Sequence, residues 1–440
     1  MQIKATIGSE LGHKSNGKVA ASSHDADVKD VQEIIDSKSQ ILWDINQKIH
    51  QNPELGFEEH MAHDNITGML EDLGFQVTRH AFGLSTAFSA EYGHGGRVVA
   101  FNAEYDALPE IGHACGHNLI AMMSIASFIG VAGMLKRKGL PGRVRLVGTP
   151  AEEGLGGKIP IVAADAYADV DACLMVHPGP FTECPGFTGD AYMPTTASIK
   201  FTVQFTGKTA HAAMAPWEAT NALDAAVLAY NGISVLRQQI HPSNRVHCVI
   251  SDGGLRPNVI PGSASINCYV RSPTVHMAEG LLERVENCFK GAALQSGCTV
   301  DIQRNNTYAD LRPNKSIARA YADAMADMGL QVRCETNSTG VAGSTDQGNV
   351  SYACPAIQAY VGIPAKPGSN NHTAGFTAVA GAKESHKLCL HAAKGMAVAS
   401  WEILTKDDLA AKVRSDFEED KEKRFLPSDS VVRTQNVGFC

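Results

Sequence analysis

The spacing of apolar residues changes along the chain, from a helical period to short continuous runs. From Val31 to Ile49, apolar side chains recur with helical spacing, which predicts an amphipathic helix. Four short apolar runs, each bounded by turn residues, follow at 97–101, 144–147, 172–176 and 357–363. Because helical stretches separate the first three, these runs predict βαβ units in an α/β fold with a mostly parallel sheet.

The order of elements changes between residues 197 and 304. There the apolar pattern predicts a strand, a helix, two strands, a helix and a strand, which is the order of a ferredoxin-like α+β unit. We expect this insert (residues 195–306) to interrupt a larger domain formed by residues 27–194 and 307–405, with a charged helix and tail at 406–440. An unpaired strand edge in so small a sheet also predicts a homodimer contact through the insert.

Composition restricts the class of protein and its partners. A chain of 440 residues with 44% hydrophobic residues is long enough for two domains with buried cores. Acidic and basic residues are interleaved around a formal net charge of −8, so we expect neither nucleic acid nor a membrane as a partner. Eleven cysteines without a regular framework indicate reduced thiols, and the first 26 residues contain no apolar core of a secretory signal. Both features predict a cytoplasmic location.

The longest uncharged run, residues 119–135, is a candidate membrane span. Its 17 residues are at the lower edge of the length that crosses a bilayer, and they include Ser and Gly. The run also follows directly on a cluster of possible metal ligands. We therefore predict a buried helix for this segment.

That cluster places a thiol and two imidazoles within five residues, at His113, Cys115 and His117. Thiolate and imidazole are common zinc ligands, so the cluster indicates a metal site. In an extended loop, Cys115 and His117 would point to the same side, whereas a helix would pair His113 with His117. A buried thiol beside ordinary polar histidines is the alternative explanation.

Further candidate ligands follow the predicted strands. They are Glu104 and Asp106 after the first run, Glu152 and Glu153 after the second, His177 after the third and His372 after the fourth. Open α/β sheets bind ligands at the carboxyl ends of their strands, so we expect one site at this edge. In an extended backbone the adjacent Glu152 and Glu153 point in opposite directions and cannot serve equally at one ion.

Several of these segments resemble the motifs of the M20 metallopeptidase family, and of its amidohydrolase branch in particular. The matching segments are 50–57, 104–109, 113–117, 150–154, 207–213 and 371–373. Glu104-Tyr105, Asn118 and the segment 343–351 depart from bacterial and plant members and are similar to the subgroup of β-alanyl-lysine and Xaa-Arg dipeptidases.

The resemblance implies a zinc-peptidase-like catalytic domain with two divalent metal ions, and a lid and dimerisation domain in the position of the insert. The implied metal ligands are Cys115, His117, Glu153, His177 and His372. Cys115 would bridge the two ions as a thiolate. Zinc is the first expectation for this donor set, and manganese, cobalt or nickel are alternatives.

The same resemblance implies roles for five further residues. Glu152 would be the general base, Asp106 would orient a ligand, and His211 would reach the active site of the neighbouring subunit to stabilise an oxyanion. Asn258 and Arg271 would grip the free carboxylate of the substrate, which a guanidinium binds in a bidentate manner. Taken alone, Asp106, His211 and Arg271 each have an ordinary explanation as a turn, loop or surface residue.

The function implied by the resemblance is that of a metal-dependent amidohydrolase or dipeptidase acting on a dipeptide or an N-acyl amino acid. One alternative is an amidase or deacylase that tailors an N-acyl amino acid conjugate in specialised metabolism. The other is a metal-free, non-catalytic binding or scaffold subunit. Glu152 argues against the scaffold, because a scaffold has no need of a general base.

Overall fold

Two β-sheets organise the residues that the computed structural model describes, 23–338 and 340–424. The predicted tail beyond residue 424 lies outside the described residues. In chain order the strands are β1 (Gln76–Arg79), β2 (Phe88–His94), β3 (Val98–Ala103), β4 (Gly142–Gly148), β5 (Ala172–Pro180), β6 (Gly189–Asp190), β7 (Ala197–Thr206), β8 (Arg245–Asp252), β9 (Ser263–Ser272), β10 (Thr299–Tyr308), β11 (Val332–Arg333) and β12 (Ala356–Ile363).

Helices cover both faces of the larger sheet and one face of the smaller sheet. In chain order the α-helices of the described residues are α1 (Ser23–Asp36), α2 (Ser39–Gln51), α3 (His60–Asp72), α4 (His117–Lys138), α5 (Lys158–Ala163), α6 (Ala222–Leu236), α7 (Val275–Ser296), α8 (Lys315–Asp327), α9 (Gln347–Ala353), α10 (Ala374–Ala380), α11 (Lys383–Thr405) and α12 (Asp407–Lys423). The last of these, α12, occupies the position at which the sequence predicts a charged helix.

The four predicted apolar runs form neighbouring strands at the centre of the larger sheet. Its order is β1-β2-β4-β3-β5-β12-β6-β11, and β4, β3, β5 and β12 run parallel. These strands are buried on both faces: in β3, Val99 and Phe101 pack into one hydrophobic core, and Val98 and Ala100 into another. Burial on both faces explains why the runs are continuous rather than alternating. The prediction of an α/β fold with a mostly parallel sheet is confirmed.

The predicted N-terminal helix is interrupted by a turn. α1 ends at Asp36 and α2 begins at Ser39, whereas the sequence predicted one helix over 31–49. Segment 36–40 contains no apolar residue, so a continuous helix would present a polar turn to the core. The hydroxyl of Ser37 donates instead to a carbonyl of the last turn of α1, at 2.7 Å.

The long apolar helix α4 belongs to the protein core. By length and hydropathy it would qualify as a membrane span, but 94% of its most apolar window is buried. It packs against α1, α2 and α11 and against the larger sheet. This agrees with the prediction of a buried helix for residues 119–135.

The smaller sheet has the predicted ferredoxin-like element order. Its strand order is β10-β7-β9-β8, with all neighbours antiparallel, and α6 and α7 pack on one face. Alternate residues of β7, such as Phe201 and Val203, enter the core beneath these helices. The opposite face of β7 carries Lys200, whose Nζ donates to the carbonyl of Gly154 at 3.0 Å, so this face contacts the loop after β4. The domain boundaries at 194/195 and 306/307 stay predictions.

Gly130 and Gly280 provide a matched test of helix packing. A Cβ on Gly130 of α4 would lie 2.9 Å from Cδ1 of Ile35, whereas a Cβ on Gly280 of α7 would meet nothing within 4 Å. We predict that Gly130→Leu lowers the free energy of unfolding by about 1–3 kcal/mol through overpacking. Gly280→Leu should raise it by about 0.5–1 kcal/mol through helix propensity. Urea denaturation followed by circular dichroism measures both, and equal effects would contradict the packing of α4.

Candidate metal centre and active site

The central strands bring the predicted site residues to one edge of the larger sheet. Asp106 follows β3, Glu152 and Glu153 follow β4, and His372 follows β12. β5 pairs with β12 as far as Pro180, so His177 lies within β5 rather than directly after it as the sequence predicted. The strand ends still meet at a single edge, as expected for open α/β sheets.

A sharp turn before α4 arranges the side chains of the Cys115 motif, residues 113–117. Cys115 lies in the loop, Gly116 has a left-handed φ of +84°, and His117 is the first residue of α4. A Cβ at position 116 would also lie 2.7 Å from Cγ of Pro178, so the turn requires glycine. The turn places Sγ of Cys115 3.4 Å from Nε2 of His177. The motif is therefore neither the extended loop nor the continuous helix considered from sequence.

His113, the other imidazole of the motif, has a structural position. Its ring is buried, and Nε2 lies 3.0 Å from the carbonyl oxygen of Ile49 in α2. Burial, reinforced by the charge of His117, lowers the pKa of His113 to about 3, so the ring is neutral. Among the described residues, no group of potential metal ligands includes His113.

All five predicted ligands fall into two overlapping groups. The ligand atoms of Cys115, His117 and His177 lie within 4.8 Å of one another. The ligand atoms of Cys115, Glu153 and His372 also lie within 4.8 Å of one another, so Cys115 belongs to both of these groups. A third group joins His117 and Glu153 to Glu152. Nε2 of His117 is buried and has no hydrogen-bond partner within the described residues. Buried polar atoms normally have a partner, so this atom fits a bound cation.

His372 reaches this cluster from a strained backbone. Its φ is +66°, in the left-handed region that non-glycine residues seldom adopt. The amide of His372 donates to the carbonyl of Ala114 at 2.8 Å, which ties the residue to the Cys115 loop. Nε2 of His372 then lies 3.2 Å from Oε1 of Glu153. Strain held by surrounding contacts is common at functional sites.

Asp106 connects two of the candidate ligands. Its Oδ1 lies 2.9 Å from Nδ1 of His117, and its Oδ2 accepts the amide of Glu153 at 2.8 Å. Burial alone would raise the pKa of Asp106, but the charge and hydrogen bond of His117 keep it below the usual value. The ionised carboxylate holds the Nδ1 proton, so Nε2 of His117 is left to face the cluster.

The loop after β4 holds Glu152 beside the same cluster. Glu152 is 9% exposed, and its Oε2 lies 3.9 Å from Nε2 of His117. Burial, followed by the charge of Glu104, raises the pKa of Glu152 well above its usual value. The preceding Ala151 has a φ of +59°, and its amide donates to Oε1 of the buried Glu59 at 2.8 Å. Local sequence does not indicate this stabilising contact, although Glu59 lies just after the early family-like motif.

A cavity of 630 Å³ opens beside the cluster. Its lining includes Glu152 and four of the candidate ligands, Cys115, Glu153, His177 and His372. Arg271 of β9 also lines it; Nη1 of Arg271 donates to Oγ of Ser344 at 2.7 Å, and Nε lies 3.3 Å from Nε2 of His247. These two partners carry no negative charge, so the guanidinium is available for an anionic group.

His211 and Asn258 lie together on the smaller-sheet unit. Both are exposed, and the backbone of His211 pairs with that of Val259, next to Asn258. Nδ1 of His211 accepts the amides of residues 213 and 214 at 3.2 Å, which puts the proton of a neutral ring on Nε2. Neither residue lines the cavity that contains Arg271. Within one chain, the structure therefore does not bring them to the candidate metal ligands.

Comparison with known sequences identifies the family. The profile of peptidase family M20/M25/M40 matches residues 100–393. The chain belongs to this family. The Xaa-Arg dipeptidases of Mus musculus and Homo sapiens are each 40% identical to this M20 chain, over 88% of it and 90% of their own length. Among solved structures, a dinuclear metal-binding M20 peptidase from Bacillus subtilis has the same fold, with a TM-score of 0.61 and 22% identity over 84% of this chain and 99% of that chain.

A buried ion cluster lies behind the candidate centre of this M20 chain. Lys158 is fully buried, and its Nζ lies 2.5 Å from Oε1 of Glu104 and 2.6 Å from Oδ1 of Asp346. Burial opposes the charge of Lys158, but Asp346 and Glu104 raise its pKa above the usual value. The other oxygen of Glu104 lies 3.4 Å from Nε2 of His117, so the cluster reaches the candidate ligands. Local sequence does not indicate a role for Lys158, because a lysine after two glycines resembles a surface residue.

We predict that Lys158→Met lowers the free energy of unfolding by about 3–5 kcal/mol, because it leaves two buried carboxylates without their cation. Lys136→Met removes an exposed lysine of α4. This control should change stability by no more than about 0.5 kcal/mol. Urea denaturation compares the two variants with the parent chain. If both were equally stable, Lys158 would not balance Glu104 and Asp346.

Proposed function

We propose that this chain is a binuclear metal-dependent amidohydrolase that cleaves the amide bond of a dipeptide or an N-acyl amino acid. The observation that carries the proposal is the position of Cys115, whose Sγ belongs to two groups of potential metal ligands beside the buried Glu152. Family membership and 40% identity to Xaa-Arg dipeptidases support the same reaction class.

Cys115, His117, Glu153, His177 and His372 would hold two divalent metal ions, because their ligand atoms form two groups that both include Cys115. Zinc is our first choice, because thiolate and imidazole are its common ligands, and manganese, cobalt or nickel are alternatives. When bound, such ions activate water and polarise the substrate carbonyl. The dinuclear metal-binding peptidase from Bacillus subtilis supports this assignment.

In this mechanism Glu152 moves the proton. Its carboxylate would accept a proton from the attacking water as the new C–O bond forms, and would deliver it to the amine nitrogen as the C–N bond breaks. Asp106 would act through His117 and the Glu153 amide, whose positions it fixes. His211 of the partner subunit would stabilise the oxyanion of the tetrahedral intermediate.

The free α-carboxylate of the departing amino acid would bind Arg271, together with Asn258 of the partner subunit. Because the most similar relatives compared above are named Xaa-Arg dipeptidases, we propose lysine, ornithine or arginine as that amino acid. The cavity of 630 Å³ also has room for a bulkier acyl group, so a deacylase of N-acyl amino acid conjugates is the second candidate. The buried Glu152 beside a full set of ligands disfavours a non-catalytic scaffold.

We also propose a homodimer formed through the smaller sheet. Its edge strand β8 carries Val249 and Ile250, which are 66% and 37% exposed. An open strand edge with exposed apolar side chains is suited to continue the sheet across a two-fold axis. Such a dimer would let His211 and Asn258 of one protomer complete the cavity of its partner.

The proposed setting is the cytoplasm, without nucleic acid or membrane as a partner. The ten cysteines within the described residues are all free thiols. Reduced thiols suit a compartment that does not form disulfides.

Glu152→Gln tests the proposed general base, because it removes the proton acceptor while preserving side-chain shape. We expect kcat for amino acid release to fall by about 10²–10⁴-fold. Two metal ions per chain should remain, as measured by inductively coupled plasma mass spectrometry. Unchanged turnover would refute the role of Glu152, whereas joint loss of turnover and metal would assign Glu152 to metal binding.

A mixture of two inactive variants tests the shared active site. Glu152→Gln and His211→Ala each inactivate both sites of a homodimer in this arrangement. After subunit exchange, half of the dimers are mixed, and one of their two sites combines an intact Glu152 with an intact His211. We therefore expect recovery of about a quarter of the parent activity. If His211 acted within its own chain, mixing would restore none.

A further inference from the structure

We infer that Glu183 selects a cationic side chain on the departing amino acid. The inference rests on the proposed function and names the residue that sets its substrate preference. Glu183 lines the same cavity as Arg271 and the candidate metal ligands.

The position of Glu183 is fixed by the strand that carries a candidate ligand. β5 contains His177 and ends at Pro180, and a single 3₁₀ turn then ends at Glu183. In the neighbouring β12, Tyr360 is paired with His177, and the Tyr360 hydroxyl donates to the carbonyl of Pro180 at 2.7 Å. Burial, followed by the charge of Glu183, raises the pKa of Tyr360, as a nearby carboxylate would. Glu183 is thus held beside Tyr360 and close to the His177 strand.

Glu183 differs from the neighbouring charged residues of the cavity lining in having no ion-pair partner among the described residues. Asp190 and Arg333 also line the cavity, but they form an ion pair with Nη2 to Oδ2 at 2.6 Å. Within residues 23–338 and 340–424, no basic side chain lies within 4.0 Å of the Glu183 carboxylate. Apart from the candidate metal centre, Arg271 and Glu183 are therefore the charged residues of the lining that lack an ion-pair partner.

These two charges have opposite signs and suit the two ends of one amino acid. Arg271 would bind the α-carboxylate, and Glu183 would bind an ammonium or guanidinium at the end of the side chain. Glu183 is exposed at the cavity wall, so water screens part of the attraction. We therefore expect a preference for a cationic over an isosteric neutral side chain of about two- to fivefold, rather than of several thousandfold.

The test compares kcat/KM for alanyl-lysine and alanyl-norleucine, whose side chains have the same length up to the terminal group. The parent enzyme should favour lysine by about two- to fivefold. Glu183→Gln should abolish this preference by lowering kcat/KM for lysine while leaving the value for norleucine unchanged. Glu183→Lys should reverse the charge preference and favour alanyl-glutamate over alanyl-glutamine.

Glu58→Gln is the matched control, because Glu58 has a side chain that is 77% exposed and it does not line the cavity. This variant should retain the parent preference. If the parent hydrolyses dipeptides and Glu183→Gln keeps its full lysine preference, the inference is overturned while the proposed function stands. Failure of the metal-loaded parent to hydrolyse any dipeptide would contradict the proposed function instead.

Calorimetric binding of free lysine and norleucine to the metal-loaded protein tests Glu183 without any turnover. Lysine should bind the parent more tightly than norleucine, and Glu183→Gln should remove that difference. Equal binding of both ligands to the parent would overturn the inference. Thermal melting should show that Glu183→Gln folds like the parent, as expected for an exposed, isosteric substitution.

Discussion

Asp106 uses one carboxylate oxygen to hold the ring of His117 and the other to hold the amide of Glu153. This buried side chain thereby fixes the first turn of α4 relative to the loop after β4. The contact is possible because β3 and β4 are adjacent and parallel, so their carboxyl ends open at the same place. The positions of Glu152, Glu153 and His117 all depend on this arrangement.

Much of this framework could be predicted from the sequence, since strands buried on both faces leave continuous apolar runs. Such runs mark β3, β4, β5 and β12, and the residues near their ends include most of the candidate ligands. His113 shows that a local motif does not determine which of its side chains face the candidate metal centre. It lies in the same motif as Cys115 and His117, yet its ring is directed to a carbonyl of α2.

Charged residues whose partners are distant in sequence could not be predicted from the apolar runs. Lys158 is 54 residues from Glu104 and 188 residues from Asp346, and only the tertiary structure shows that the three meet. The same holds for Glu59, whose carboxylate accepts a hydrogen bond from the amide of Ala151, 92 residues away. A buried charged residue and an exposed one look alike in a sequence. The free-energy cost of burying a charge depends on its ion-pair and hydrogen-bond partners, which come from distant parts of the chain.

The insertion of the smaller sheet between candidate ligands imposes an order on biosynthesis. Cys115, His117 and His177 all precede β7, whereas His372 follows β12. A chain emerging from the ribosome therefore contains the whole first group of ligands well before the second can close. Nascent protein arrested within the insert would lack His372 and would therefore present an incomplete centre.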